Sequence, residues 1–320
     1  SVPVFPSTTD INPVDIAAKA KASAGDRGWN YLDKPQLDRP VLIMGFSGWA
    51  NAGAVSSESL DYLQRRLKSR PLAIIEPDFF HDYTSNRPTA QINSGRLESF
   101  KIPRGHFSYV QGREDEPDLI LFSGPEPNLK WNTYCEFVLD LAREMKVQAI
   151  FTLGGTYDYV PHWAEPKVSA ICSGPPAEVL LAPVSDEIEW ADYEGPISIQ
   201  TMIMLRGREM DLPVAALWSH APVYIQTGNI KMNLCLVEIL SRAIGFSLDT
   251  SDLRDGVVEM EGRIEALIAD NPSLKKYIDD LDREFQTASE RGPGASMTSP
   301  SSTGGGKVIP FDRFLRREDQ

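Results

Sequence analysis

Residues able to do chemistry gather in three glycine-containing stretches, each directly after an apolar run. The first is Gly45-Phe46-Ser47-Gly48-Trp49-Ala50-Asn51-Ala52-Gly53. Its glycines permit tight turns and close backbone approach. A helix starting there would present N–H groups to an anion. It is not a P-loop, because no Gly-Lys-Ser/Thr follows. The alternative is a strand-to-helix turn with Trp49 as a packing plug. The second stretch, Ser123-Gly124-Pro125-Glu126-Pro127-Asn128-Leu129-Lys130-Trp131, puts Glu126 at a strand end, where a base or ligand contact belongs. Alternatively, Glu126 and Asn128 order the turn and cap the next helix. The third is Gly154-Gly155-Thr156-Tyr157-Asp158-Tyr159-Val160-Pro161-His162. Paired glycines admit a close ligand, and His162 titrates near neutral pH. A ligand pocket built this way combines Gly48, Trp49, Asn51, Gly53, Glu126, Asn128, Gly154, Gly155 and His162. It requires the bends at 48, 126 and 154 to meet at one rim of a single sheet.

Other chemistry is sparse. There is no Gly-x-Ser-x-Gly elbow, and Ser47 has the wrong spacing for one. No spacing favours a triad of Ser47, His162 and an acid. Cys172 sits in a loop without an identified base, which is weak ground for a nucleophile. We therefore assign no catalytic residue. With only four histidines, a His-rich metal site is not expected, and His81 beside Asp82 reads as a solvated loop. His220 reads as a second pocket wall or a packed residue. No cofactor motif is found.

A net charge of −13 repels phosphate backbones and argues against nucleic-acid binding. No apolar run reaches membrane-spanning length, and Ser1 to Pro6 lacks a secretory pattern. The three cysteines, Cys135, Cys172 and Cys235, form no CxxC pair. Cys135 and Cys235 lie in apolar helical patterns and read as core thiols. So sparse a count fits a reducing compartment, here the cytoplasm.

The elements that must position these stretches follow from hydrophobic periodicity. Continuous apolar runs at 41–46, 72–75, 119–122, 149–153 and 214–218 suit strands buried on both faces. Helical patterns cover 56–67, 134–145, 197–210 and 231–244. Strand, helix and strand over 41–75 predict a parallel pair with a right-handed crossover. Residues 79–112 form a β excursion around a hairpin turn at Asn93-Ser94-Gly95-Arg96. Residues 154–194 read as irregular. The expected fold is a three-layer α/β domain, a mostly parallel sheet with helices on both faces. The domain order is an arm at 1–38, a core at 39–248 and a helical hairpin at 249–286, split at Asn271-Pro272. A flexible tether follows at 287–306, then a tail at 307–320. Val308, Ile309, Phe311, Phe314 and Leu315 make that tail apolar, suited to docking on a partner or folding back on its own subunit.

The same loops carry a family resemblance. Gly48-Trp49-Ala50-Asn51-Ala52-Gly53 resembles the Gly-Trp-x-x-Ala-Gly element of the proteasome assembly chaperone 2 family. Asn86-Arg87-Pro88, Glu126-Pro127-Asn128-Leu129-Lys130-Trp131, Thr152-Leu153-Gly154 with Val160-Pro161-His162, Tyr193-Glu194-Gly195-Pro196 and Trp218-Ser219-His220-Ala221-Pro222-Val223-Tyr224 are similar to further segments of that family. They run in consistent order over residues 40–285. The resemblance implies a fold similar to purine nucleoside phosphorylases, self-association, and a role in assembly. Eukaryotic relatives assist proteasome assembly, and some archaeal relatives bind the proteasome through a C-terminal tail. Many relatives have an acidic residue where Ala50-Asn51 stands here, which argues against carboxylate chemistry at that loop. The terminal Glu318-Asp319-Gln320 argues against proteasome gating, since charged groups resist desolvation in an apolar pocket. Fold likeness does not transfer phosphorylase chemistry. The expectation is a protein-interaction or assembly factor, homo-oligomeric, with a protein partner that the sequence does not name. The alternative is a small-molecule binder or a phosphorylase- or hydrolase-like enzyme.

Overall fold

A computed structural model describes residues 29–226 and 228–290. The expectations for residues 1–28, for the tether beyond 290 and for the tail lie outside the described residues. Nine strands form one sheet: β1 (Trp29–Tyr31), β2 (Val41–Ser47), β3 (Arg70–Ile75), β6 (His106–Val110), β7 (Leu119–Pro125), β8 (Ala149–Asp158), β9 (Val168–Cys172), β10 (Glu189–Trp190) and β11 (Val214–Pro222). Their spatial order is β1-β3-β6-β7-β2-β8-β11-β9-β10. The helices are α1 (Val55–Arg66), α2 (Trp131–Glu144), α3 (Pro175–Leu181), α4 (Ile199–Glu209), α5 (Ile230–Ile244), α6 (Ser251–Asp270) and α7 (Pro272–Glu290).

The central strands sort their apolar side chains by parity. Leu42, Met44, Phe46, Ile120, Phe122 and Ile150 pack under α2 and α4, against Tyr134, Val138, Ile199 and Ile203. Ile43, Leu119, Leu121, Ala149, Phe151 and Leu153 face the opposite layer, against Leu60, Leu63, Leu236 and Leu240 of α1 and α5. Side chains alternate along a strand, so burial on both faces demands continuous apolar runs. That is the three-layer α/β fold read from the sequence.

Three readings are refined. β7, β2, β8 and β11 are parallel neighbours, but β6, β3, β1 and β9 join antiparallel at the flanks. The sheet as a whole is therefore mixed. The expected β2–β3 pair does not form. β6 and β7 lie between them, although one parallel and two antiparallel steps leave β3 pointing the same way as β2. The stretch at 154–194, read as irregular, holds the end of β8 together with β9, α3 and β10. These are short, and β9 mixes Ser169 with its apolar residues, so they carry little periodic signal.

Of the β excursion expected over 79–112, only β4 (Thr89–Asn93) and β5 (Arg96–Lys101) leave the sheet as a separate two-stranded ribbon, while β6 joins the main sheet between β3 and β7. Ser94 and Gly95 both take positive φ, 49° and 77°, as a two-residue type I′ turn requires. At the other end of the chain, the Asn271 side chain accepts the Ser273 and Leu274 N–H groups at 3.2 and 3.1 Å, starting α7 with Pro272 as its first residue. Ile264, Leu274, Ile278 and Leu281 then pack on Tyr224 and Ile225 of the body. Residues 287–290, expected in the tether, are the end of α7.

Candidate functional site

β2 and β7 are parallel neighbours, so the bends that leave their carboxyl ends share a rim. The Glu126 N–H donates to the Ser47 carbonyl at 2.8 Å. Gly48 has φ +131°, and a Cβ there would stand 3.0 Å from that of Glu126. The Glu126 carboxylate accepts the Ile199 N–H at 2.8 Å. Ile199 opens α4, and its N-cap residue Ser198 supplies no side-chain cap. Glu126 thus caps a helix and favours its positive N-terminal dipole. The helix is α4, far along the chain, and not α2. α2 begins after Lys130 without a side-chain cap.

Asn128 does order the turn. Its side-chain carbonyl accepts the Asp82 N–H at 3.0 Å, and the Asn128 and Leu129 N–H groups donate to the Phe80 carbonyl at 2.8 and 3.0 Å. These bonds draw residues 80–86 over the rim. Ser47, Gly48, Trp49, Ser85, Asn86 and residues 125–128 then enclose a cleft of about 380 Å³. Trp49 is 59% exposed beside it, so it is a cleft wall and not a plug.

The third bend joins the first, but through protein contacts. Gly155 bridges Asn51 and donates its N–H to the Ala50 carbonyl at 2.9 Å. A Cβ on Gly155 would stand 2.5 Å from the Ala52 carbonyl oxygen, and one on Gly154 2.6 Å from the Trp218 ring. The close approach that these glycines allow is used by the chain itself. Asn51 is likewise occupied: it accepts the Ser57 N–H at 3.0 Å and donates to the Ser57 hydroxyl at 2.9 Å. Gly53 packs beside Ala221 and Asn229.

His162 lies apart from the cleft. It is 4% exposed, with Nδ1 2.8 Å from the Tyr224 hydroxyl and Nε2 3.3 Å from the Glu265 carboxylate on α6. Lys231 donates to the His162 carbonyl at 3.1 Å and to Glu261 at 2.9 Å. This knot fastens α6 to the body. Of the nine pocket residues read from the sequence, Gly48, Trp49, Glu126 and Asn128 border the cleft. Asn51, Gly53, Gly154 and Gly155 support it from the adjoining bend.

One grouping escaped the sequence reading. His220 Nδ1 lies 2.9 Å from Asp158 Oδ2, and His220 Nε2 lies 2.6 Å from Ser169 Oγ. Burial raises the Asp158 carboxyl, but the His220 hydrogen bond, the Tyr159 N–H and Lys167 outweigh it and hold the group below its ordinary value. These residues come from three strands. No linear spacing links them, because β9 had no periodic signal and the register across β8, β11 and β9 arises only on folding. Among the described residues, no three His, Cys, Asp or Glu side chains gather in a way that could hold a metal ion. No described helix is long and apolar enough to cross a membrane.

Known proteins place this architecture. A PAC2 family protein from Streptomyces avermitilis is 28% identical, with a TM-score of 0.65 over 71% of this chain and 95% of its own. A proteasome-assembly chaperone homologue from Mycobacterium tuberculosis is 22% identical, with a TM-score of 0.67 over 74% of this chain and 99% of its own. PbaB, an archaeal proteasome activator from Pyrococcus furiosus, is 19% identical, with a TM-score of 0.61 over 75% of this chain and 97% of its own. The last two likenesses, under 25% identity, concern the fold alone. No curated protein matches the chain. The model of the PAC2 family matches residues 45–268, well over half of the sequence, and the chain belongs to that family.

Proposed function

We propose that this chain is a cytoplasmic assembly factor that works by binding protein, first of all another copy of itself. One observation carries the reading: the β4–β5 ribbon offers an apolar face that none of the described residues covers. Every residue of both strands is exposed. Ile92 pairs with Leu97 and Ala90 with Phe100, and the register shifts between those pairs. The extra residue on β5 matters. Without it, Leu97 and Phe100 would point to opposite faces; the bulge returns both to the side of Ile92 and Ala90. Ile92, Leu97 and Phe100 are 67%, 63% and 50% exposed. A two-stranded ribbon is marginal in water by itself, and contiguous exposed apolar surface marks contact sites. Relatives named as a proteasome-assembly chaperone homologue and a proteasome activator support a protein-binding role.

In this reading the body extends from the expected 39–248 back to β1 at residue 29, residues 249–290 brace it, and the segment carrying Val308, Ile309, Phe311, Phe314 and Leu315 is a second contact behind the tether. Light scattering on the full chain tests the ribbon. We expect an oligomer that falls to monomer when Ile92, Leu97 and Phe100 are all changed to Ser. A monomeric parent, or an oligomer indifferent to the change, would sink the reading. Deleting residues 307–320 should weaken partner capture without moving the melting temperature of the body.

The cleft of about 380 Å³ beside Trp49 and Glu126 favours a second reading, a small-molecule site. Nucleosides, phosphate and nucleotides would then raise the melting temperature saturably. That response should vanish in Glu126→Ala.

A further inference from the structure

We propose that Ser169 is a nucleophile activated by His220 and held in register by Asp158, and that this rim cleaves small uncharged esters. Three observations converge. The first is distance: Ser169 Oγ is 2.6 Å from His220 Nε2, and His220 Nδ1 is 2.9 Å from Asp158 Oδ2. The second is orientation. Asp158 divides its oxygens, one accepting the Tyr159 N–H at 2.8 Å and the other facing His220 Nδ1. A carboxylate only accepts, so Nδ1 carries the proton and Nε2 is the basic nitrogen turned to the serine. The third is register. His220 pairs with Thr156, two residues before Asp158, and Trp218 with Ser169. All three side chains therefore project from one face of the sheet, at the carboxyl ends of β8 and β11, where open α/β sheets place their ligands.

The group reaches solvent in part. Ser169 is 8% exposed, and the His220 and Asp158 side chains are 14% and 30% exposed. Lys167, two residues before the serine, and Glu189, its partner on β10, are ion-paired at 2.6 Å and flank it. Asp158 and Glu189 each face a basic side chain, which leaves little net field to draw a charged substrate and favours neutral esters.

The reaction balances without a further reagent except water. Ser169 Oγ attacks the ester carbonyl carbon while its proton passes to His220 Nε2. The carbon–oxygen bond to the alcohol breaks, and the leaving oxygen takes that proton. Water then attacks the acyl-serine and gives a proton to Nε2. The Oγ–carbon bond breaks, Oγ regains the proton, and a carboxylic acid departs. Ser169 and His220 touch the reacting atoms. Asp158 acts through His220 and is a positioning residue.

The test is covalent labelling of the full chain with a fluorophosphonate, which transfers phosphorus to an activated serine and releases fluoride. We expect one adduct, mapped to Ser169 and lost in Ser169→Ala. His220→Gln should slow labelling about 100-fold or more, the usual reach of a general base, while melting at the temperature of the parent. Hydrolysis of p-nitrophenyl acetate should fall in parallel. No adduct at Ser169 would overturn the proposal. So would equal labelling of a folded His220→Gln variant, which would mean that the trio only braces the strands. If Ser169→Ala does not fold, the His220→Gln comparison decides alone.

Discussion

The rim where Gly48, Glu126 and Gly155 meet and the ribbon at 89–101 hold similar residues and put them to opposite uses. At the rim, every glycine approach is taken by the chain itself. Gly155 lies against the Ala52 backbone, Gly154 against Trp218, and Gly48 against Glu126. In the ribbon, a Cβ on Gly95 would meet nothing within 4 Å, and the apolar side chains face outward. Close backbone packing is concentrated in the first region, and exposed apolar surface in the second. Family motifs dense in glycine and tryptophan therefore mark the fold here more than they mark a ligand.

The sharpest break of that contrast is a methyl group at the rim. Gly155→Ala would bring its Cβ to 2.5 Å from a backbone oxygen that cannot swing away. Overpacking of this kind costs about 3 kcal/mol, read from urea unfolding. Loss of less than about 1 kcal/mol would show that the rim is looser than described. Next comes the cap: Glu126→Ala removes the acceptor of the Ile199 N–H and should cost about 1 kcal/mol. Glu126→Gln, which keeps an acceptor, should cost less. Gly95→Ala has space but keeps φ at +77°. It should cost about 1 kcal/mol locally, seen as faster amide exchange in the ribbon with the body's midpoint unmoved.

Ile92→Ser should change body stability by less than about 0.5 kcal/mol while weakening self-association. A large loss of stability would mean that the ribbon packs on its own subunit. The smallest effect concerns Glu58, whose carboxyl accepts from Asn233 at 2.9 Å. Burial raises it above its ordinary 4.5, against the lowering effect of Asn233. The folded chain thus binds that proton more tightly than the unfolded chain. The stabilisation is present below pH 4.5 and lost as pH rises through the folded value. Glu58→Gln imitates the protonated group. It should therefore melt slightly higher than the parent at pH 7 and equally with it at pH 4, by calorimetry.

Much of the site was legible in part. Glu126 and Asn128 were readable as turn and cap residues because they follow an apolar run at a strand end. Which helix Glu126 caps was not, since Ile199 is brought to it only by packing α4 over the sheet. The turn read first as a tight bend with Trp49 as its packing plug, and the side chain's exposure makes it a cleft wall instead. His162 sat in a promising motif, but Tyr224 and α6 bury it elsewhere.

The sequence by itself determined the layers, the central strands, the hairpin turn and the family, because each rests on neighbours within a few residues or on continuous apolar runs. Tertiary structure alone decided the insertion of β6 and β7 between β2 and β3, the apolar face of the ribbon, and the meeting of Asp158, His220 and Ser169. Strand order and cross-strand register are set by contacts between distant segments. A change of one residue in register turns a side chain to the other face, and no local pattern records which register wins.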